Sequence, residues 1–216
     1  MKRQKLPLDV LDAVAHAYDK DVLDVFVRDG TAYASDGFQA AWCKVSGVPD
    51  GTYHKTDAKT GWRAGEYGDK RRPIRRGGDT DGIQRVVQST VRDTSKLVAA
   101  VSPVPPELAK AMKRASVAND ADKRKGYSAA LVLTTEGATV SAGSESSGCM
   151  FSQPVPMPGQ AVGSISVNPD WLAKGLLALE RRAVSVVAGM VASVAGPFVA
   201  RSVDGSAGYL LMGKRP

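Results

Sequence analysis

Three stretches of the chain share one pattern: a short amphipathic helix with proline at its opening, then extended segments that turn at Asp-Gly or Glu-Gly. Such self-similarity constrains the fold more than any other feature of the sequence. The first copy opens at Leu6-Pro7-Leu8-Asp9, with Leu8, Leu11, Val14 or Ala15, and Tyr18 on one helical stripe. Residues 22–28 and 31–35 read as strands around an Asp29-Gly30 hairpin turn. A turn at Asp36-Gly37 leads into a third strand over 38–45, completing a meander. The second copy starts at Pro103-Val104-Pro105-Pro106, with Leu108, Met112 and Ala115 facing inward and Lys110, Lys113 and Arg114 elsewhere. A charged loop over 119–126 follows, then strands over 127–134 and 138–141 about Glu136-Gly137, and another from Cys149.

The third copy is the clearest. Residues 165–167 alternate as a strand, Asn168 caps a helix with Pro169 at its first position, and Trp171, Leu172, Leu176 and Leu179 form the buried stripe. Residues 184–187, 191–194, 197–203 and 207–212 read as short strands, with a turn at Asp204-Gly205. Between the first two copies, residues 46–102 do not repeat the pattern, and 70–78 reads as a loop. The predicted division is a divergent domain over 1–100 and a complete one over 103–216, parted near Val101-Ser102-Pro103. The expected fold class is α+β, built from helix plus antiparallel β-meander units.

With 216 residues, 43% of them hydrophobic, the chain has material for one large core or two small ones, which excludes bulk disorder. Its 29 Lys and Arg against 22 Asp and Glu leave a formal charge of +7, which favours a polyanionic partner. No run approaches the roughly 18–20 apolar residues of a membrane span, and Met1-Lys2-Arg3-Gln4-Lys5 leads into an amphipathic stretch rather than a signal core. The expectation is a soluble, cytoplasmic protein.

Enzyme signatures are missing. The sequence has no GxxxxGK[ST], no GxGxxG after a strand, no HExxH and no GxSxG, and neither His16 nor His54 has a nucleophile or carboxylate at motif spacing. Asp79-Thr80-Asp81-Gly82 starts like a calcium loop but lacks the later ligands, so it reads as a turn. Cys43 and Cys149, far apart and without CxxC spacing, read as buried thiols rather than a disulfide or metal pair. No catalysis, cofactor or metal is expected.

The repeats resemble those of the DNA sliding clamps, and their details are similar to the bacterial type, the beta subunit of DNA polymerase III. Val167-Asn168-Pro169-Asp170-Trp171-Leu172 through Tyr209-Leu210-Leu211-Met212 resembles the clamp's last half-domain. Tyr33-Ala34-Ser35-Asp36-Gly37-Phe38-Gln39-Ala40 resembles its Ala-Thr-Asp-Gly-His-Arg-Leu-Ala motif, with Phe38 and Gln39 as departures. The resemblance implies a clamp-like fold acting in DNA replication as a polymerase processivity factor. It also implies that Ser35, Asp36, Gly37, Phe38, Gln39 and Ala40 face Leu210, Leu211 and Met212 to form an apolar pocket for peptides of a replicative polymerase or other clients.

Double-stranded DNA would meet the helices through Lys110, Lys113, Arg114, Lys174, Arg181 and Arg182. The loop cations Lys70, Arg71, Arg72, Arg75 and Arg76 would grip phosphates or an acidic partner, or form a solvated loop. A clamp loader is a further implied partner. Because a full bacterial-type subunit has three domains and this chain at most two, a six-domain ring would need three copies, a homo-oligomer set by symmetry. Two other readings stay open: a clamp-derived, non-ring module that binds clamp clients, and a basic DNA-binding protein using the 70–76 loop.

Overall fold

A computed structural model describes residues 25–35, 38–57, 61–64, 104–121, 129–144, 149–157, 163–180, 186–190 and 197–213. The first meander is present. Strands β1 (Val25–Arg28), β2 (Thr31–Ser35) and β3 (Gln39–Lys44) pair antiparallel in sequence order. Asp29 and Gly30 both take positive φ, 51° and 67°, as a two-residue hairpin turn requires when its twist matches that of its strands. The helix expected over residues 8–18 lies outside the described residues.

Two strands arise where the sequence shows no repeat. β4 (Gly51–Asp57) pairs with β1, and β5 (Gly61–Ala64) pairs with β4. In β4, Tyr53 supplies the buried anchor as the third residue of Gly-Thr-Tyr-His-Lys-Thr-Asp, and its hydroxyl donates to the Pro49 carbonyl at 2.8 Å. One apolar side chain in seven leaves no alternation to read.

The second copy folds as helix α1 (Pro106–Ala121) followed by β6 (Ala129–Leu133), β7 (Ala138–Ser144) and β8 (Cys149–Val155). Helix α1 runs through Ala121, into the segment expected as a charged loop over 119–126, whose remaining residues lie outside the described ones. Asn119 is buried, and its Oδ1 accepts the Gly143 N–H at 3.2 Å, which holds the last turn of the helix to β7. Strand β9 (Gly163–Val167) returns to pair with β6 and enters helix α2 (Pro169–Glu180). The cap of α2 is formed as the sequence predicts: Asn168 Oδ1 accepts the N–H groups of Asp170 and Trp171 at 3.1 and 3.2 Å.

Leu172, Leu176 and Leu179 are fully buried, each contributing roughly 1.5–3 kcal/mol of apolar transfer. Trp171 departs from the expected stripe; it is only half-buried, at the margin of the core. The final strands are β10 (Val186–Met190), β11 (Phe198–Ser202) and β12 (Ala207–Leu211). β10 overlaps the strand expected over 184–187 at Val186 and Val187 and runs on to Met190, while residues 184 and 185 lie outside the described residues. The segment 191–194 lies outside the described residues.

These elements form two antiparallel sheets. One is four-stranded, in the order β8-β7-β6-β9; the other is eight-stranded, in the order β10-β11-β12-β3-β2-β1-β4-β5. The partial order β3-β2-β1-β4 matches β8-β7-β6-β9, so the repeat extends to how the fourth strand of each set returns to the first. Helix α1 lies on β7 and β8, α2 on β11 and β12, and the helices pack against each other over one continuous core. The seam within the large sheet is β12 against β3, with five residues in register from Ala207↔Cys43 to Leu211↔Gln39. Here the sheet is buried on both faces. Tyr209 and Leu211 point to the helices, while Leu210 joins Tyr33, Ala40, Trp42 and Val199 in a second, smaller cluster. Gly208 admits the Trp42 indole where any side chain would collide with it.

Candidate functional site

The seam places two of the sequence-predicted segments side by side. Ala40 sits opposite Leu210 and Gln39 opposite Leu211, Ser35 opposite Ala40 on the next strand, and the Met212 N–H donates to the Phe38 carbonyl at 2.8 Å. Asp36 and Gly37 lie outside the described residues. The side chains divide sharply in what they offer to a ligand. Gln39, Ala40, Leu210 and Leu211 are buried, whereas Phe38 is 52% exposed and Met212 39%. Leu210 and Leu211 therefore pack the two faces of the sheet, and the exposed surface at the seam is left to Phe38 and Met212.

Trp171 belongs with the exposed pair. Its ring lies 6.5 Å from that of Phe38, inclined at 45°. The arrangement comes from α2. Trp171 stands one residue before the leucine stripe, on a row continued by Gly175 and Ala178, and the missing side chain at Gly175 lets the Tyr209 ring pack against the helix. A large aromatic heading a row of small residues is the signal that could have singled it out.

Below these residues, the Tyr209 hydroxyl donates to Gln39 Oε1 at 2.6 Å and stands 3.1 Å from the Trp171 carbonyl. One buried phenol thus ties β12, β3 and α2 together beneath Phe38, Trp171 and Met212. What this surface can do chemically is bind: two aromatic faces and a thioether offer adaptable apolar contact.

The second sequence-predicted set lies on the outward sides of the helices. Lys110, Lys113 and Arg114 on α1 and Lys174 on α2 are exposed. They do not present unopposed charge. Asp170, in the first turn of α2, takes Lys113 Nζ on Oδ1 at 3.0 Å and Lys174 Nζ on Oδ2 at 2.7 Å. Burial pushes the Asp170 carboxyl up, but the hydrogen bonds and charges of Lys174 and Lys113 outweigh it and hold the group below its ordinary value. Arg114 Nη1 donates to Gln153 Oε1 on β8 at 3.0 Å. Glu180, at the end of α2, is held above its usual range by burial, a rise that Lys110 opposes and Glu107 reinforces. Arg181, Arg182, Lys70, Arg71, Arg72, Arg75 and Arg76 lie outside the described residues.

Among the described residues no group of three or more His, Cys, Asp or Glu side chains is placed to hold a metal ion, and no helix is long and apolar enough to cross a membrane.

This architecture, paired helices over meander sheets that merge across a seam, is the fold of the DNA sliding clamps. The solved structures that share it are beta subunits of bacterial DNA polymerase III. The chain is similar to the beta subunit from Streptococcus pyogenes with a TM-score of 0.66 and 14% identity, covering 100% of this chain and 67% of that one. It is similar to the Thermotoga maritima beta subunit with a TM-score of 0.65 and 15% identity, covering 96% and 63%. For the Pseudomonas aeruginosa sliding clamp the values are 0.61, 15%, 97% and 64%. The chain thus spans about two thirds of the length of these clamps. No family model and no curated protein matches its sequence.

Proposed function

We propose that the chain is a sliding-clamp-like processivity factor that encircles duplex DNA, tethers client proteins by short peptides, and performs no catalysis. The observation that carries this reading is the β12–β3 seam, which sets the exposed Phe38 and Met212 beside Trp171 over a rigid buried tie. Peptide capture suits such a surface, because a few apolar anchors supply most of the energy of binding a short segment. Residues 1–100 and 103–216 then act as two clamp domains, the first divergent, and three copies complete a six-domain ring. Strand β8, at the edge of the four-stranded sheet and carrying the exposed Met150, is the edge offered to the next copy. Within the ring the outward sides of α1 and α2 face the duplex, with the cations of residues 70–76 as a further phosphate contact. A loader and a replicative polymerase are the partners of this cycle.

Retention tests the reading directly. The protein should stay on nicked circular DNA through a gel-filtration column and slide off once the circle is linearised. Equal loss from both forms would overturn the ring. The near-balance of charge on the helices favours one second reading, a non-ring module that binds clamp clients. Light scattering separates them, since a strict monomer at micromolar concentration supports the module.

A further inference from the structure

Among the described side chains, the outward side of the helix pair carries Lys110, Lys113, Arg114 and Lys174, but also Glu107, Asp170 and Glu180, so four cations stand among three carboxylates. The acids are not scattered. Asp170 bridges the two helices by holding one lysine from each, 57 residues apart in sequence in one case and one helical turn away in the other. Its position is set independently of either lysine, because its backbone N–H is held by the Asn168 cap. A carboxylate in the first turn is also favoured by the positive end of the helix dipole. Both lysine side chains keep about half their surface in water, at 58% and 50%, so a phosphate can reach each ammonium group.

From this arrangement, and resting on the proposed DNA-encircling function, we infer that Asp170 is an electrostatic brake on the duplex-facing wall: it competes with DNA phosphates for Lys113 and Lys174 and keeps the grip weak. A phosphate that approaches either lysine competes with a carboxylate already 2.7–3.0 Å away, so each such contact shares or exchanges a partner rather than making a wholly new pair. Fewer counterions are then released, and both affinity and its salt dependence fall. For a ring held by topology, a weak and readily exchanged contact permits movement along the duplex where a tight one would arrest it. Asp170 touches DNA in no step of this scheme; it acts through the two lysines.

The test uses the full chain and a fluorescent duplex of random sequence, with affinity measured across a salt titration. Asp170→Asn keeps the size of the side chain and removes the charge. It should tighten binding about tenfold at low salt and steepen the slope of log K against log salt by about 1–2, near 0.9 for each lysine released. Lys113→Gln should change affinity little in the wild-type background and several-fold in the Asp170→Asn background, a dependence that a purely structural role would not produce. Wild-type binding that weakens with salt, together with an Asp170→Asn variant of the same affinity and slope, would overturn the brake and leave the clamp reading standing. Absence of duplex binding by wild type and variant alike would overturn both. Thermal melts of each variant confirm folding, and an Asp170→Ser variant repeats the measurement should Asp170→Asn melt early.

Discussion

Tyr209→Phe isolates the hydroxyl that ties the two halves of the seam to α2. The ring remains, so the apolar packing against Gly175 is unchanged and the only atom lost is the hydroxyl oxygen, which donates to Gln39 Oε1 at 2.6 Å and stands 3.1 Å from the Trp171 carbonyl. A net hydrogen bond is worth about 1 kcal/mol, and part of the desolvation cost of the Gln39 amide, which is 1% exposed, adds about another 1 kcal/mol. The expected loss is therefore about 2 kcal/mol. In a chain of this size it corresponds to a fall in melting temperature of about 4–8 °C. Calorimetry on the wild type and variant measures it, with urea titration as a second estimate. Replacing both partners, in Gln39→Leu with Tyr209→Phe, should recover about half of the loss, because the buried Gln39 Oε1 acceptor is then removed together with its donor. A Tyr209→Phe protein within about 0.5 kcal/mol of wild type, or a double variant no better than the single one, would refute the tie.

Other substitutions probe neighbouring features. Gly175→Ala places a methyl group 2.5–2.6 Å from three carbons of the fully buried Tyr209 ring, and should destabilise by about 1–3 kcal/mol in the same melts although alanine is the better helix former. Phe38→Ala combined with Met212→Ala should weaken capture of a clamp-client peptide at least tenfold in fluorescence anisotropy while leaving the melting temperature within about 2 °C, since both side chains are exposed. Leu210→Asn, by contrast, should unfold the seam before it reports on binding, with circular dichroism as the readout. The Asp204 carboxyl is held down at about 2 by hydrogen bonds from Ser202 and Ser206 in the β11–β12 turn. A carboxyl lowered in the folded state stabilises fully above its ordinary value of 3.8 and loses that contribution as pH falls toward about 2, so the stability difference between wild type and Asp204→Ala should shrink across that window in acid titrations followed by tryptophan fluorescence.

What could be read in advance follows the range of the forces involved. Helix α2 was legible because its signals are local: the Asn168 cap, Pro169 in the first turn and leucines at 172, 176 and 179 all act within a few residues. The Asp29-Gly30 hairpin was legible for the same reason. Strand β4 was not, since its one apolar anchor, Tyr53, gains meaning only through pairing with β1. The meeting of the Phe38 and Met212 segments followed from a family resemblance and from no periodicity in the chain. No local signal announces how deeply Leu210 is buried. Its burial depends on Tyr33 and Trp42, brought from far along the chain by the seam. The charges follow the same rule. Lys113 and Lys174 lie off the apolar stripes, as expected, but nothing local announces that Asp170 reaches both.

The seam also bears on how the chain reaches its fold. Strands β3 and β12 are adjacent in the sheet, yet the residues their buried hydrogen bond joins, Gln39 and Tyr209, are separated by 170 positions. Closing so long a loop has to precede the reward of the ladder, which slows assembly in proportion to the nonlocal character of the pairing. Until residues 207–211 have been synthesised, β3 is an open edge flanked by Trp42 and Tyr33, a template for pairing with a second nascent chain. Synthesis in the cell therefore passes through an interval in which the strand that later forms the seam is the part of the protein most exposed to misassembly.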